Sequence, residues 1–279
     1  MLAAVSCVVV LVLGLASPSN TSATLASLSP GGSVASVARL AARAPRLTRR
    51  VTCESEDCTA VLQAAINVGA DVELQPGTWV VTTIFLNNSH QRLTLTEGVH
   101  IKAKLGEFHS PSACLFSVRG VTDVTLAGAG SAGSRLSMRK ADYRNASLYT
   151  KAEWRCGVNV AGSKSVTIAN LTIADTGGDG IYIGAAKLST DTFETGCRDI
   201  LVQGVVTDGA YRNGLSLISG ENVLVEDTQF LRTWGTAPQA GKLQMPWFIS
   251  YVHELSCSEA RNRVFTKNNG PADACRDRY

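Results

Sequence analysis

Three aspartates, Asp175, Asp179 and Asp208, stand at recurring points of this chain where glycine follows closely. Glycoside hydrolysis needs two carboxyls about 5–9.5 Å apart, one donating a proton and one serving as base or nucleophile. Asp179 paired with Asp175 or Asp208 would satisfy that need, so these three are candidate catalytic residues together with Arg212. A lyase or epimerase would need instead a cation that stabilises a developing enolate while a second group removes the adjacent proton. Tyr182, Arg212 and Lys187 are the side chains suited to that work. Asn159, Tyr182, Asn213, Ser216, Trp154 and Lys187 are candidate substrate contacts, since amides, hydroxyls and aromatic faces all suit sugars. Calcium would suit the oxygens of Asp175, Asp179 and Asp208. No dedicated binding loop accompanies them, however, and no cofactor is assigned. Each candidate also has a plainer use: Asp and Asn beside glycine form turns, arginine is commonly a solvated surface residue, and tryptophan can simply pack a loop.

The elements that must position these residues repeat between Cys156 and Gly241. Gly157-Val158-Asn159-Val160, Gly180-Ile181-Tyr182-Ile183 and Gly214-Leu215-Ser216-Leu217 each open on glycine and place an apolar side chain at every second position, the strand period. Val166 to Ile168 and Val223 to Val225 begin nine residues after their leading glycines, and Leu171 to Ile173 begins five after Val166. Gly157 and Gly180 lie 23 residues apart and Gly180 and Gly214 lie 34 apart, the excess being a loop inserted after Ile183. Three short strands per turn of about 23 residues is the pattern of a parallel β-helix. An antiparallel sandwich would need two-residue hairpin turns, which are scarce here. The alternation points Val158, Ile181 and Leu215 inward and Asn159, Tyr182 and Ser216 outward, forming a ladder with Asp179 at its edge. A long insertion from Met138 to Arg155 carries Tyr143, Tyr149, Glu153, Trp154 and Arg155, and loops of that length in a regular column are commonly functional.

Leu74-Gln75-Pro76-Gly77-Thr78-Trp79, Thr176-Gly177-Gly178-Asp179-Gly180-Ile181 and Asn213-Gly214-Leu215-Ser216, preceded by a helix over Cys58 to Gly69, resemble the pectin-lyase-like superfamily. This superfamily of right-handed parallel β-helices includes polygalacturonases, pectate lyases and alginate epimerases. The resemblance runs from about Asp57 to Gly241. It implies an extracellular protein with a polysaccharide partner held in a groove along the glycine-led strands. Asp179 matches an acid of the polygalacturonases. The acidic pair that the next coil supplies in those enzymes is replaced here by Arg212-Asn213, and their His-Gly and Arg-x-Lys have no counterpart. A polysaccharide hydrolase or lyase is therefore expected, the alternative being a glycan-binding or surface protein, or an inactive truncated form.

The expected fold is a right-handed parallel β-helix over 51–241, capped at its start by one α-helix, with Val61, Leu62, Ala65 and Ile66 on the helix's apolar face. An irregular tail over 242–279 is expected to follow, although Gly241 falls where the next leading glycine is due. Residues 1–16 read as a secretory signal too short to span a bilayer, and 17–50 as a low-complexity linker or pro-segment. That acid-free stretch also has the composition of an organelle transit peptide, leaving secretion and organelle targeting as alternatives. The chain has 26 Lys and Arg against 23 Asp and Glu, but five of the arginines precede Val51, so the remainder is slightly acidic. It has no charge-based reason to seek nucleic acid or an anionic membrane. A monomer is expected. None of the eight cysteines has zinc-site spacing, so disulfides are a natural use, with Cys156 and Cys197 suited to tying inserted loops to the column, unless they are buried thiols. Sequons at Asn20, Asn87, Asn145 and Asn170 agree with export and glycosylation.

Overall fold

The inward row of one coil can be covered only by the next coil, and that requirement produces the architecture seen in the computed structural model. It describes residues 46–186, 195–233, 235, 240–244, 250–252, 255–256 and 264–265, the last four groups through their backbone. The segment expected to be a signal, nearly all of the linker, Lys187, Cys257 and Cys275 lie outside the described residues. Three all-parallel sheets run the length of a right-handed parallel β-helix. One coil passes from Val158–Ala161 in the third sheet through Lys164–Ala169 in the first and Thr172–Ala174 in the second. It returns to the third sheet at Ile181–Gly184.

The core is a set of side-chain stacks. Val72, Leu93, Leu126, Ile168, Val202 and Val225 lie in register on successive strands of the first sheet, and none is more than 1% exposed. In the third sheet Val158, Ile181 and Leu215 stack likewise, as their period requires. Fully burying such a side chain stabilises by roughly 1.5–3 kcal/mol.

The corners are stacked too. Asp123, Ser165, Asp199 and Asn222 all have positive φ where strands of the first sheet begin. Asn170, Gly204 and Asp227 repeat that geometry at the next corner, and Asp175, Gly209 and Arg232 at the one after. Short polar residues and glycine tolerate this left-handed backbone best. The backbone amides at these corners bond along the column, as in Asn170 N–H to Gln203 O at 2.9 Å and Asp175 N–H to Asp208 O at 2.9 Å.

The expected helix forms over Thr59–Asn67 and buries Leu62, Ala65 and Ile66, while Val61 stays partly exposed. Asp57 Oδ1 accepts the Thr59 N–H at 2.9 Å, and buried Gln91 donates Nε2 to Ile66 O and Ala70 O at the helix's other end. The helix lies against the first strands of the column. Two boundaries differ from expectation. Thr48, Arg49 and Arg50, assigned to the linker, join Val51 in a strand paired with Asp71–Leu74, because it supplies partners to an otherwise open edge. The expected irregular tail contains Ala240–Gln244, Ser250–Val252, Leu255–Ser256 and Val264–Phe265, which continue all three sheets. Gly241 takes the register position after Gly214, as its spacing predicts. The backbone ladder rewards any strand-competent segment at that edge, so pairing persists after the side-chain rhythm fades.

Cys53 bonds to Cys58 beside the helix, and Cys114 bonds to Cys156. The expected use of Cys197 as a loop tie is not realised: it is a buried thiol whose titration burial pushes upward. Pairing of Phe116 with Val158 brings Cys114 and Cys156 to the same corner of successive coils, Cα atoms 4.5 Å apart, whereas Cys197 opens a strand of another sheet. Ile168→Ala should cost about 2–5 kcal/mol by removing a central member of the longest stack. Urea unfolding checks this, and a change below about 1 kcal/mol would show that the stacks do not carry the column.

Candidate active site

The third sheet gathers the candidate residues because its strands begin in tight succession. A Cβ on Gly180 would come within 2.4 Å of Gly214 O, so glycine is what lets these strand starts stack. Asn159, Tyr182 and Ser216 then align across three strands, as expected. Ser216 is fully buried and accepts a hydrogen bond from Asn213 Nδ2 at 3.0 Å. Asn159 and Tyr182 line a cavity of about 270 Å³ with Ser112, Trp154, Arg119 and the Cys114–Cys156 disulfide. Trp154 stands 43% exposed at this cavity, and Asn159 Oδ1 is buried without a hydrogen-bond partner. Arg119 is exposed, with Nη2 donating to Ala186 O.

Asp179 lies at the start of its strand and is wholly buried. Its Oδ1 accepts the Asn213 N–H at 3.2 Å and lies 3.4 Å from Arg212 Nε. Burial raises its pKa from 3.8 to about 6, against the pull of Arg212, Ser216 and Asn213, and the charge of Glu153 raises it further. Arg212 is itself nearly buried, and its Nη1 forms an ion pair with Glu153 Oε2. One guanidinium thus touches two carboxylates. Glu153 belongs to the insertion expected between Met138 and Arg155, and its carbonyl accepts the Asp179 N–H at 3.1 Å.

Several expected residues serve other ends. Asp175 occupies a left-handed corner, half exposed, 3.8 Å from Arg135. Asp208 ends a strand of the second sheet and pairs with Arg232. Neither is among the groups that set the titration of Asp179, because the Thr176–Gly178 segment carries the chain from that corner to the next sheet. Among the described residues no three such side chains gather as metal ligands, so the carboxylates considered for calcium do not converge. Arg155 and Tyr149, carried by the insertion expected to be functional, are buried. Arg155 donates Nε to Phe108 O at 2.8 Å and Nη2 to His109 O and Thr150 O, and its guanidinium lies 5.1 Å and 5.4 Å from the Tyr143 and Tyr149 rings. It anchors the insertion to the column. Lys187 lies outside the described residues.

Sequence reasoning named Glu153 only as part of the insertion and did not single out Arg119, yet both lie beside the candidate residues. Glu153 directly precedes Trp154, a residue that was singled out, and that adjacency was its available signal. Arg119 ends the strand paired with Val158–Ala161, a position that the looser rhythm of the early coils obscures.

No protein-family model and no curated protein sequence matches the chain. Among solved structures it is similar to a protein described as a glycosyl hydrolase from Parabacteroides merdae. The two share 12% identity at a TM-score of 0.57, over 78% of this chain and 100% of that one. It is also similar to a family 28 exopolygalacturonase from Yersinia enterocolitica, with 12% identity and a TM-score of 0.54 over 76% of this chain. An iota-carrageenase complexed with iota-carrageenan fragments aligns at 18% identity and a TM-score of 0.51 over 66% of this chain. The chain spans 49% of the exopolygalacturonase and 41% of the carrageenase. The fold it shares with them is the parallel β-helix.

The titration of Asp179 has a consequence for stability. Folded, the carboxyl keeps its proton up to about pH 6, whereas unfolded it ionises near 3.8, so the folded state binds the extra proton between those values. The stabilisation from this proton is therefore fully present below about pH 4 and is lost as pH rises through about 6, roughly 3 kcal/mol in all. Asp179→Asn removes this slope. Its unfolding free energy relative to wild type should rise between pH 4 and pH 7 in denaturant titrations, and parallel pH profiles would contradict the assignment.

Proposed function

We propose that this chain is a secreted polysaccharide hydrolase working in a groove along the third sheet, with Asp179 as the proton donor. The observation that carries this reading is a buried carboxyl with a pKa near 6, touching a guanidinium, three residues along the strand from a cavity lined by Tyr182, Asn159 and Trp154. A pKa near working pH is what a general acid requires. Asn159, Tyr182 and Trp154, joined by Arg119, bind sugar, while Asn213 and Ser216 hold the acid in place. Arg212 is engaged with two carboxylates, which suits a stabilising role better than proton abstraction. This favours hydrolysis over the lyase route. Polysaccharide cleavage by the exopolygalacturonase of like fold points the same way.

Secretion is supported by the two disulfides and by the exposure of the sequon residues Asn87, Asn145 and Asn170. No helix among the described residues is long and apolar enough to cross a membrane. The chain acts as a monomer.

A second reading, glycan binding without turnover, is favoured by one observation: Asp179 has no exposed surface, so sugar reaches it only if the groove opens. Incubating the purified chain with a panel of polysaccharides separates the two. New reducing ends, lost by a factor of about 10²–10⁴ in Asp179→Asn, mark the hydrolase. An unsaturated, ultraviolet-absorbing product would mark a lyase, and retention on immobilised glycan without products would mark the binding protein.

A further inference from the structure

We infer that Glu153 is the second carboxyl of this site, and that Gly177 and Gly178 form the seat that holds it there. The inference rests on the reading of Asp179 as proton donor. Glu153 and Asp179 contact different nitrogens of Arg212, and oxygens touching one guanidinium lie at most roughly 8 Å apart. That keeps them inside the upper limit of roughly 9.5 Å for two carboxyls that share one glycosidic bond. The environments also divide the roles: Asp179 is wholly buried, whereas the Glu153 side chain is 47% exposed and open to water. Neither Asp175 nor Asp208 offers a comparable contact.

The paired glycines explain how a surface insertion delivers a carboxylate so close to the column. Neither has left-handed backbone, so their purpose is space rather than turning. A Cβ on Gly178 would come 2.2 Å from Glu153 O and 2.9 Å from Arg155 N. One on Gly177 would meet Arg155 Cδ at 2.5 Å and Tyr143 Cδ2 at 2.6 Å. Bare backbone at both positions lets the Glu153–Arg155 segment lie flat against the strand entrance. There the Glu153 carbonyl takes the Asp179 N–H, and Gly178 O takes the Arg212 N–H at 3.1 Å. Arg155 fastens the segment from its other side.

In the reaction this pair supports, protonated Asp179 gives its proton to the glycosidic oxygen as the bond to the anomeric carbon breaks. Glu153 takes a proton from the water whose oxygen bonds to that carbon. The net change is one glycoside and one water giving two sugars, and exchange with solvent restores both carboxyls.

The test compares Glu153→Gln, Glu153→Asp, Glu153→Ala and Gly178→Ala with wild type on a polysaccharide the wild type cleaves. Glu153→Gln should lower kcat by about 10²–10⁴ with little change in KM. Glu153→Asp, which keeps the charge but shortens the reach, should lose much of that activity, and azide should restore turnover to Glu153→Ala by replacing the activated water. Gly178→Ala should resemble Glu153→Gln in kcat. Carbon-13 titration of Asp179 reads the same contact without substrate. Glu153→Gln and Gly178→Ala should both lower the Asp179 pKa from about 6, since the Glu153 charge raises it and Arg212 is then left to Asp179. Full activity in Glu153→Gln with loss in Asp179→Asn would overturn the role of Glu153 and keep the hydrolase reading. Loss in neither variant, or an inactive wild type, would overturn the hydrolase reading and with it this inference. Normal kcat and Asp179 titration in Gly178→Ala would overturn the seat.

Discussion

Everything in this molecule depends on the register between successive coils. A coil alone leaves its inward side chains half covered and both edges unpaired; stacked at the strand spacing of about 4.8 Å, it gains a ladder and a closed core together. Because the register is strict, residues 23 positions apart become neighbours, as Asn159 is to Tyr182. The column therefore turns a linear spacing into a surface, and the site inherits its order from that. Where the strand starts stack most tightly, Gly180 leaves room for the Gly214 backbone, and the residue before it, Asp179, is forced into the interior.

That placement sets the electrostatics. A carboxyl removed from water resists ionisation, and the fold offsets this only in part, with one guanidinium, one backbone amide and one hydroxyl. Arg212 faces the opposite problem, being nearly buried itself, and meets it by contacting two carboxylates at once. The three groups form a unit that no pair of them would make without leaving a buried charge less well matched.

Much of the fold was legible because its cause is local and periodic. The alternation after Gly157, Gly180 and Gly214 announced strands that do stack in the predicted register, and even the position of Gly241 followed from counting. The candidate site was legible only where it rides on that period, as do Asp179, Tyr182 and Asn159. Glu153 was not, because its place depends on a non-repeating insertion docking through Arg155 and two bare glycines, a contact with no sequence rhythm. The same holds for Cys114, whose pairing with Cys156 follows from a strand register that the looser early coils obscure. Asp175 and Asp208 were chosen for standing near glycine; the first takes a left-handed corner and the second ends a strand beside Arg232, both away from Asp179.

The central claim is that sugar lies along the third sheet with its scissile bond at Asp179. A crystal structure of the Asp179→Asn chain soaked with an oligosaccharide tests it most directly. The account predicts a chain of sugar rings over Asn159 and Tyr182, one of them against Trp154, with a glycosidic oxygen about 3 Å from the residue 179 amide. Sugar bound on another face, or bound in the cavity with residue 179 still sealed beneath Arg212 and Glu153, would contradict it.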